Sequence, residues 1–472
     1  MSIHLQFLGA TQNVTGSCYL LEVDANKILV DCGLFQEREF RSRNWNPFPV
    51  DPKRIDAVLL THAHLDHCGL LPKLVKEGFA GKIICTPPTQ EIAKIVLSDA
   101  ARIQREDAQF KKKRHKREGR KGPYPEIPLY TEKDAEKVFS LFEPVDYERP
   151  IVISDSISVT FHDAGHILGS SMIKVKVSSQ NINRTILFSG DVGRWNKPII
   201  RDPTLFEQAD YILLESTYAD RFHKNPSSIK SKLCDIINST VEKGGNVVIP
   251  SFAVERTQEL LYYLNELLRE DCIPHLLTFV DSPMAINVTE VFKHHQDYFD
   301  EEMLDLIRSN NLPFYFSTLK LTRSTAESKA INHIKTSCII IAGSGMCTGG
   351  RIKYHLANNI SRSESTILFV GYQAKGTLGR EIVEGTEKVR IHGQIYPIKA
   401  NIVQINGFSA HADQSELLRW LSSFQSPPKR LFIVHGEREI PVLFSKIVQE
   451  KYDWSVSIPQ YLNKITLNHW CA

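Results

Sequence analysis

Residues 61–69, THAHLDHCG, follow the short apolar run AVLL at 57–60 and place His62, His64, Asp66 and His67 within six positions. A short apolar run bounded by polar residues reads as a buried strand, so the cluster stands just beyond that strand's carboxyl end. In an extended turn His62 and His64 point both imidazoles at one ion, and Asp66 and His67, one step on, can face a second. Nitrogen and oxygen donors of this kind suit Zn2+, and Mn2+ is also compatible with them. Histidines gathered by chance in a core would be buried polar groups without partners, which is costly, so the pattern points to metal.

Outward from this stretch the other apolar runs end in the same way. KILV stops at Asp31, SVTFHDAG at His166 and TILFSG at Asp191, while YILLE ends on Glu215 and LFIV is followed by His435. Strands that each deliver a ligand-type side chain to their carboxyl end are how a sheet builds a site. Polar loops as such would account for one or two of these endings, not for six. Between the runs lie helical stretches, and the alternation defines an α/β protein.

A second region follows Glu215. An amphipathic helix is expected over 227–243, with Ile229, Leu233, Ile236, Ile237 and Val241 on one face and Gly244-Gly245 closing it. A strand NVVIPSFAV, a leucine-rich helix around residues 260–268 and two strand-to-glycine-turn units, CIIIAGSGMCTGGR and TILFVGYQAKGTLGR, complete a separate α/β domain. The expected division is a core of residues 1–215 and 401–472 with an inserted domain at 216–400. No dinucleotide GxGxxG or Walker A loop is apparent. GSGMCTGGR could form a backbone nest for a phosphate, with Ser344, Gly345 and Arg351 as contacts; a glycine-rich packing turn is the equal alternative.

The chain has 57 Lys+Arg and 54 Asp+Glu, a net charge of 57 − 54 = +3, with 42% hydrophobic and 24% charged residues over 472 positions. That composition excludes wholesale disorder and a strongly basic packaging protein. The average conceals a patch. KKKRHKREGRK, residues 111–121, holds eight Lys/Arg and one Glu, a local net of 8 − 1 = +7 against 3 − 7 = −4 elsewhere. Ile92, Val96, Ala100 and Ile103 keep helical spacing upstream, with Phe110 as the last apolar anchor, so the basic segment is expected to project into solvent. Lys111, Lys112, Lys113 and Arg114 are candidate phosphate ligands; a merely solvated arm is the alternative. No apolar run approaches the roughly 20 residues of a membrane helix, and MSIHLQF alternates like a strand instead of opening a signal peptide. Nine cysteines without a CxxC pair suit a reducing cytoplasm. Cys68 and Cys347 read as small buried neighbours, not nucleophiles.

HxHxDH after a strand resembles the signature of the metallo-β-lactamase superfamily, and Asp31 in VDCG, His166 in DAGHILGS and Asp191 in FSGDVG follow that superfamily's order. Glu215 in LLESTY, His411 in GFSAHAD and His435 in VHGE resemble motifs A, B and C of the β-CASP nucleases, as do PSFAVERTQEL, DSPMA and GSGMCTGGR. The likeness covers nearly the whole chain. It is nearest to prokaryotic ribonucleases related to the endonuclease subunit of the cleavage and polyadenylation specificity factor.

The resemblance implies a metallo-β-lactamase αββα sandwich carrying an inserted α/β β-CASP domain. It implies two Zn2+ per chain, one held by His62, His64 and His166 and the other by Asp66, His67 and His435, with Asp191 bridging. Asp31 would orient a ligand imidazole, and His162 has no motif counterpart. The implied reaction is hydrolysis of RNA phosphodiester bonds by a hydroxide activated between two metals. Its catalytic residues would be His411, as proton donor to the leaving oxygen, Glu215 behind it, and Asp66. Histidine at the motif C position resembles the RNA-directed branch, so the expected partner is RNA, single-stranded, with a homodimer left open. The chain ends soon after VHGE, without the extra domain of the RNase J type, which favours endonucleolytic over 5′-to-3′ exonucleolytic action. Two other classes compete: a small-molecule metallohydrolase using the same metals, and a catalytically silent RNA-processing subunit. The inserted domain with His411 speaks against the first, and the complete ligand set against the second.

Overall fold

A computed structural model of the chain describes residues 2–179, 182–223 and 228–467. It divides into two compact units, one formed by Met1–Asn196, Arg201–Phe222 and His411–Ala472, the other by Lys197–Ile200 and His223–Ala410.

The first unit is built on two seven-stranded sheets. One contains Asn26–Val30, Ala57–Leu59, Lys82–Cys85 and Phe142–Pro144 as parallel neighbours. In the other, Ile182–Phe188, Tyr211–Glu215 and Arg430–Val434 run parallel. The parallel runs TILF, YILLE and LFIV of this second sheet are continuously apolar because both of their faces are covered. Tyr211, Leu213, Phe432 and Val434 face the core between the sheets, together with Phe7, Leu59 and Phe161. The alternate residues Ile212, Leu214, Leu431 and Ile433 pack outward, among Leu417, Trp420 and Leu421 of helix Gln414–Leu421 and Phe444 and Val448 of helix Glu439–Tyr452. The result is the expected αββα sandwich.

Parallel pairing brings strand ends to one edge, and register sets their level. Glu215 is paired with Val434, so the next residue, His435, leaves the sheet beside it. Val30 is paired with Leu59, and the Asp31 amide donates to the Leu59 carbonyl at 2.9 Å. The runs KILV, AVL, TILF, YILLE and LFIV thus deliver Asp31, His62, Asp191, Glu215 and His435 to the same edge.

The basic segment is exposed as expected, apart from His115 and half-buried Arg114, but its local structure and its anchor differ from expectation. Helix Pro87–Glu118 runs straight through it, capped by Thr86 at its start and by Gly119, with φ +61°, at its end. Ile92, Val96 and Ala100 are buried as their spacing implies, but Ile103 and Phe110 are 47% and 64% exposed, so Phe110 anchors nothing. His115 does that instead. It is buried with its Nδ1 2.5 Å from Glu126 Oε1, and its ring lies so close to Gly122 that a Cβ there would fall 2.7 Å from it. A histidine inside a lysine run carries no apolar periodicity, which is why the sequence pattern stops one turn too early.

The second unit is an all-parallel six-stranded sheet with helices, and includes Val247–Pro250, Leu277–Asp281, Cys338–Ala342 and Thr366–Phe369. The expected first helix is found as Ser228–Glu242 and the leucine-rich one as Arg256–Arg269. Its core gathers Val248, Ile340, Leu356, Ile367 and Phe369.

Candidate metal centre

The turn after Ala57–Leu59 stays extended as far as His64, whose φ and ψ are −69° and 148°, before the short helix Leu65–Cys68 begins. His62 and His64 therefore turn their rings toward each other, with His62 Nε2 3.0 Å from His64 Nδ1. His166 joins them, its Nε2 3.2 Å from the same His64 atom. On the other side His67 Nε2 lies 3.2 Å from His435 Nε2, and Asp66 Oδ2 is 3.7 Å from that His435 nitrogen.

Asp191 stands between the two trios with one oxygen for each. Its Oδ2 is 3.4 Å from His62 Nε2 and 3.5 Å from His166 Nε2. Its Oδ1 is 3.3 Å from His67 Nε2 and 3.7 Å from His435 Nε2. The donor atoms of His62, His64, His166 and Asp191 all lie within 4.8 Å of one another, as do those of Asp66, His67 and His435.

The ligand rings are aimed from behind. Asp31 Oδ2 is 2.7 Å from His67 Nδ1, which fixes a proton there and turns Nε2 inward. Thr61 holds Asp31 in turn, its amide donating at 2.8 Å and its hydroxyl at 2.8 Å to the second oxygen. Thr217 Oγ1 sits 3.0 Å from His435 Nδ1 and does the same for that ring. Sequence reasoning passes over Thr61 and Thr217, although the first precedes His62, the second stands two residues after Glu215, and a hydroxyl is a side chain that can serve a carboxylate or an imidazole at that range. Asp31 and His435 have φ of +61° and +52°, left-handed values that a non-glycine residue adopts at some cost and that cluster at functional sites. Gly33 allows the close approach that completes the turn. A Cβ there would fall 1.6 Å from the Asp66 carbonyl, and the Cys32 amide next to it donates to the His67 carbonyl at 2.7 Å.

Burial, followed by the neighbouring His62, pushes His64 down to about 3. Burial likewise lowers His62 and takes His166 well below the usual imidazole range. These rings are neutral, the form in which imidazole binds a cation. Burial is the largest influence and works against a charged His67 and a charged His435, but carboxylates together overcome it and raise both, Asp191 with Asp31 for His67 and Asp191 with Asp66 for His435. Asp191 itself is held well below the carboxylate range by the surrounding imidazoles, against its own burial.

His411 contributes to neither trio. Its Nδ1 is 3.1 Å from Glu215 Oε1 and 3.8 Å from Asp191 Oδ2, and its ring centroid is 4.5 Å from that of His166. Glu215 is fully buried and fixed by two backbone amides, Val192 N to Oε1 and Thr217 N to Oε2, both at 2.9 Å. Burial lowers the His411 ring, but Glu215 and then Asp191 overcome it and raise the ring to about 9. A protonated imidazole at neutral pH stands beside the paired clusters. His162, by contrast, is bound to Glu148 at 2.7 Å and takes no part.

Other sequence candidates lie elsewhere. Arg351 spends its guanidinium inside the second unit, on Asp281 Oδ1 at 2.6 Å and on the Thr322 and Arg323 carbonyls at 3.1 and 2.7 Å. Ser344 Oγ accepts from the Thr348 and Gly349 amides at 3.0 and 3.3 Å, so those two amides of the glycine loop already have an acceptor. Gly345 is buried in the same loop. Lys111, Lys112 and Lys113 are exposed on the long helix, where Lys111 is 3.8 Å from Asp107, and Arg114 lies 4.0 Å from Glu118. Cys68 and Cys347 are buried, which raises the first thiol well above its usual range and the second to about 12. Neither is a nucleophile.

Two packed sheets with this histidine–aspartate centre at one edge define a metallo-β-lactamase fold, and comparison with known proteins bears on it directly. The metallo-beta-lactamase superfamily domain matches residues 20–192, the Beta-Casp domain 257–382, and the Zn-dependent metallo-hydrolase RNA specificity domain 395–459. The chain is 38% identical over 440 residues to ribonuclease TTHA0252 of Thermus thermophilus, covering 93% of this chain and 94% of that protein. It is 31% identical over 464 residues to transcription termination factor FttA of Methanosarcina mazei, covering 95% of this chain and 69% of that protein. An RNase J-like protein of Methanocaldococcus jannaschii is 29% identical, covering 94% and 95% of the two chains. A crystal structure of a protein of unknown function from Enterococcus faecalis shares the fold with a TM-score of 0.57 at 11% identity, covering 99% of this chain and all of that one. The chain belongs to the β-CASP ribonuclease family of the metallo-β-lactamase superfamily.

Membership implies metal ions, and the residues fit them. Ring nitrogens of His62, His64 and His166, with an Asp191 oxygen, converge within 4.8 Å as a nitrogen–oxygen donor set that suits a cation. Asp191 Oδ1, buried, accepts no hydrogen bond.

Removing the Asp31 brace by Asp31→Ala is expected to lower metal affinity about 10–100-fold in competition with a chromogenic chelator. Unchanged affinity would show that the His67 ring needs no such brace. In metal-free protein, a His411 raised from 6.5 to about 9 contributes stability that is complete below pH 6.5 and is lost as pH rises through about 9. Urea midpoints of wild type and Glu215→Gln should therefore differ most at low pH and converge above pH 9. A difference that grew with pH would reverse the assignment.

Proposed function

We propose that the chain is an endoribonuclease that hydrolyses RNA phosphodiester bonds with two zinc ions. Asp191, presenting one carboxylate oxygen to each trio, is the observation that carries this reading. His62, His64 and His166 would hold one ion, Asp66, His67 and His435 the other, and Asp191 would join them. Bound there, the ions supply a nucleophile at neutral pH by acidifying water, and they withdraw charge from the phosphate. Asp31 and Thr217 keep the Nε2 atoms of His67 and His435 turned to the second position.

His411 then supplies the proton. The departing 3′-oxygen needs one, and an imidazolium that binds no metal can donate it. Glu215, fixed by the Val192 and Thr217 amides, holds the ring by Nδ1 and leaves Nε2 as the donating atom. RNA as substrate is supported by the RNA specificity domain at 395–459 and by the ribonuclease among the relatives. The endonucleolytic mode rests on the chain's overall likeness to ribonucleases related to an endonuclease subunit, since motifs A, B and C are common to β-CASP nucleases of both modes. The two units, whose boundaries fall at Phe222 and His411 instead of the expected 215 and 401, would work in the cytoplasm, a setting that the eight free cysteines among the described residues suit. No helix among the described residues is long and apolar enough to cross a membrane.

Circular RNA has no ends, so the zinc-loaded protein should linearise it and a chelator should stop it. His62→Ala with His64→Ala should abolish the cut. Circles left intact while linear RNA is shortened would replace the endonucleolytic reading with an exonucleolytic one, and full cutting by the double variant would remove the metal centre from the reaction. If Lys111–Arg114 each meet a phosphate, neutralising all four should lower the salt slope of RNA binding by roughly 3. An unchanged slope would make the helix tip a solvated charge run.

A further inference from the structure

We propose that Phe252 is a stacking platform for one nucleobase of single-stranded RNA, a proposal that rests on the ribonuclease reading. Phe252 follows strand Val247–Pro250 of the second unit, at the carboxyl ends of parallel neighbours that also include Cys338–Ala342 and Thr366–Phe369. Open parallel sheets bind ligands outside those ends. The residue is 38% exposed.

A single exposed phenylalanine is ordinary. What sets this one apart is the floor beneath it. A Cβ on Gly345 would fall 2.6 Å from two ring carbons of Phe252, and one on Gly371 3.2 Å from the same edge of the ring. Both positions therefore present bare backbone to the ring. Buried Gln373 ties the two together, its Nε2 donating to the Gly345 carbonyl at 3.0 Å and the Gly371 carbonyl at 3.2 Å. The Phe252 carbonyl is itself held by the hydroxyls of Thr257 and Ser251 at 2.8 and 3.1 Å. The ring is thus backed by two glycine backbones along its Cδ2–Cε2 edge while the residue stays partly exposed, so stacking a base on it orders little that is not already ordered.

The surroundings suit a nucleotide. Thr348, Tyr372 and Lys375 are exposed on the same two loops. Two amides of the glycine loop are already used by Ser344 Oγ, so what this edge offers RNA is an aromatic face, hydroxyls and a cation. An aromatic face without polar atoms accepts any base, which gives affinity without sequence preference.

The test uses the zinc-loaded protein in a His411→Ala background, to slow cutting, with labelled oligouridylate and a spacer oligonucleotide of equal phosphate number that has no bases. The expected result is about tenfold or greater preference for the base-bearing strand, lost in Phe252→Leu and kept in Phe252→Trp, whose added indole fluorescence is quenched by oligouridylate alone. Preference retained in Phe252→Leu overturns the platform while leaving the ribonuclease reading intact. If Phe252→Leu does not fold, the tryptophan variant decides: equal quenching by both strands, or none, overturns it. Wild-type protein that neither binds nor cuts RNA overturns the ribonuclease reading and the platform with it.

Discussion

A single buried carboxylate organises the centre. Asp191 faces ring nitrogens of four histidines at 3.3–3.7 Å, two on each oxygen. An anion out of water is tolerated only where opposite charge surrounds it. Here the imidazoles do this in part, by raising His67 and His435 and by depressing Asp191 itself. His62 and His411 add to the depression of Asp191, and the nitrogens of His62, His64 and His166, which burial lowers, converge as a donor set suited to a cation.

The rest of the first unit can be understood as what aims side chains at that carboxylate. Parallel strands put His62, Asp191, Glu215 and His435 on one edge, and both faces of those in the second sheet are packed in apolar clusters. Hydroxyls of Thr61 and Thr217 and the carboxylate of Asp31 then choose which nitrogen of each ring faces inward. Glu215 has a different task. It is shielded, satisfied by two amides, and turned toward His411, so it keeps one imidazole charged just outside the two trios.

Much of this is legible in the sequence because it is local. A ligand at a strand's end is visible as a polar residue after an apolar run, and His62, Asp191 and His435 stand out that way. The αββα sandwich follows from the same runs together with the family motifs. What escapes depends on neighbours distant in sequence. Thr61 bonds across thirty positions to Asp31, and Thr217 across 218 to His435. Arg351 looks like a phosphate ligand because glycines precede it, whereas Asp281, seventy positions away, takes up its guanidinium. The long helix outruns its apolar stripe because buried His115, paired with Glu126, replaces the anchor that Phe110 does not provide.

The direct measurement of the central claim is anomalous diffraction at the zinc edge from crystals of the zinc-loaded protein. Two peaks about 3.5–4 Å apart are expected, with the Asp191 carboxylate between them, one oxygen to each. One peak alone, or two with Asp191 bound to a single ion, would contradict a centre organised around that bridge.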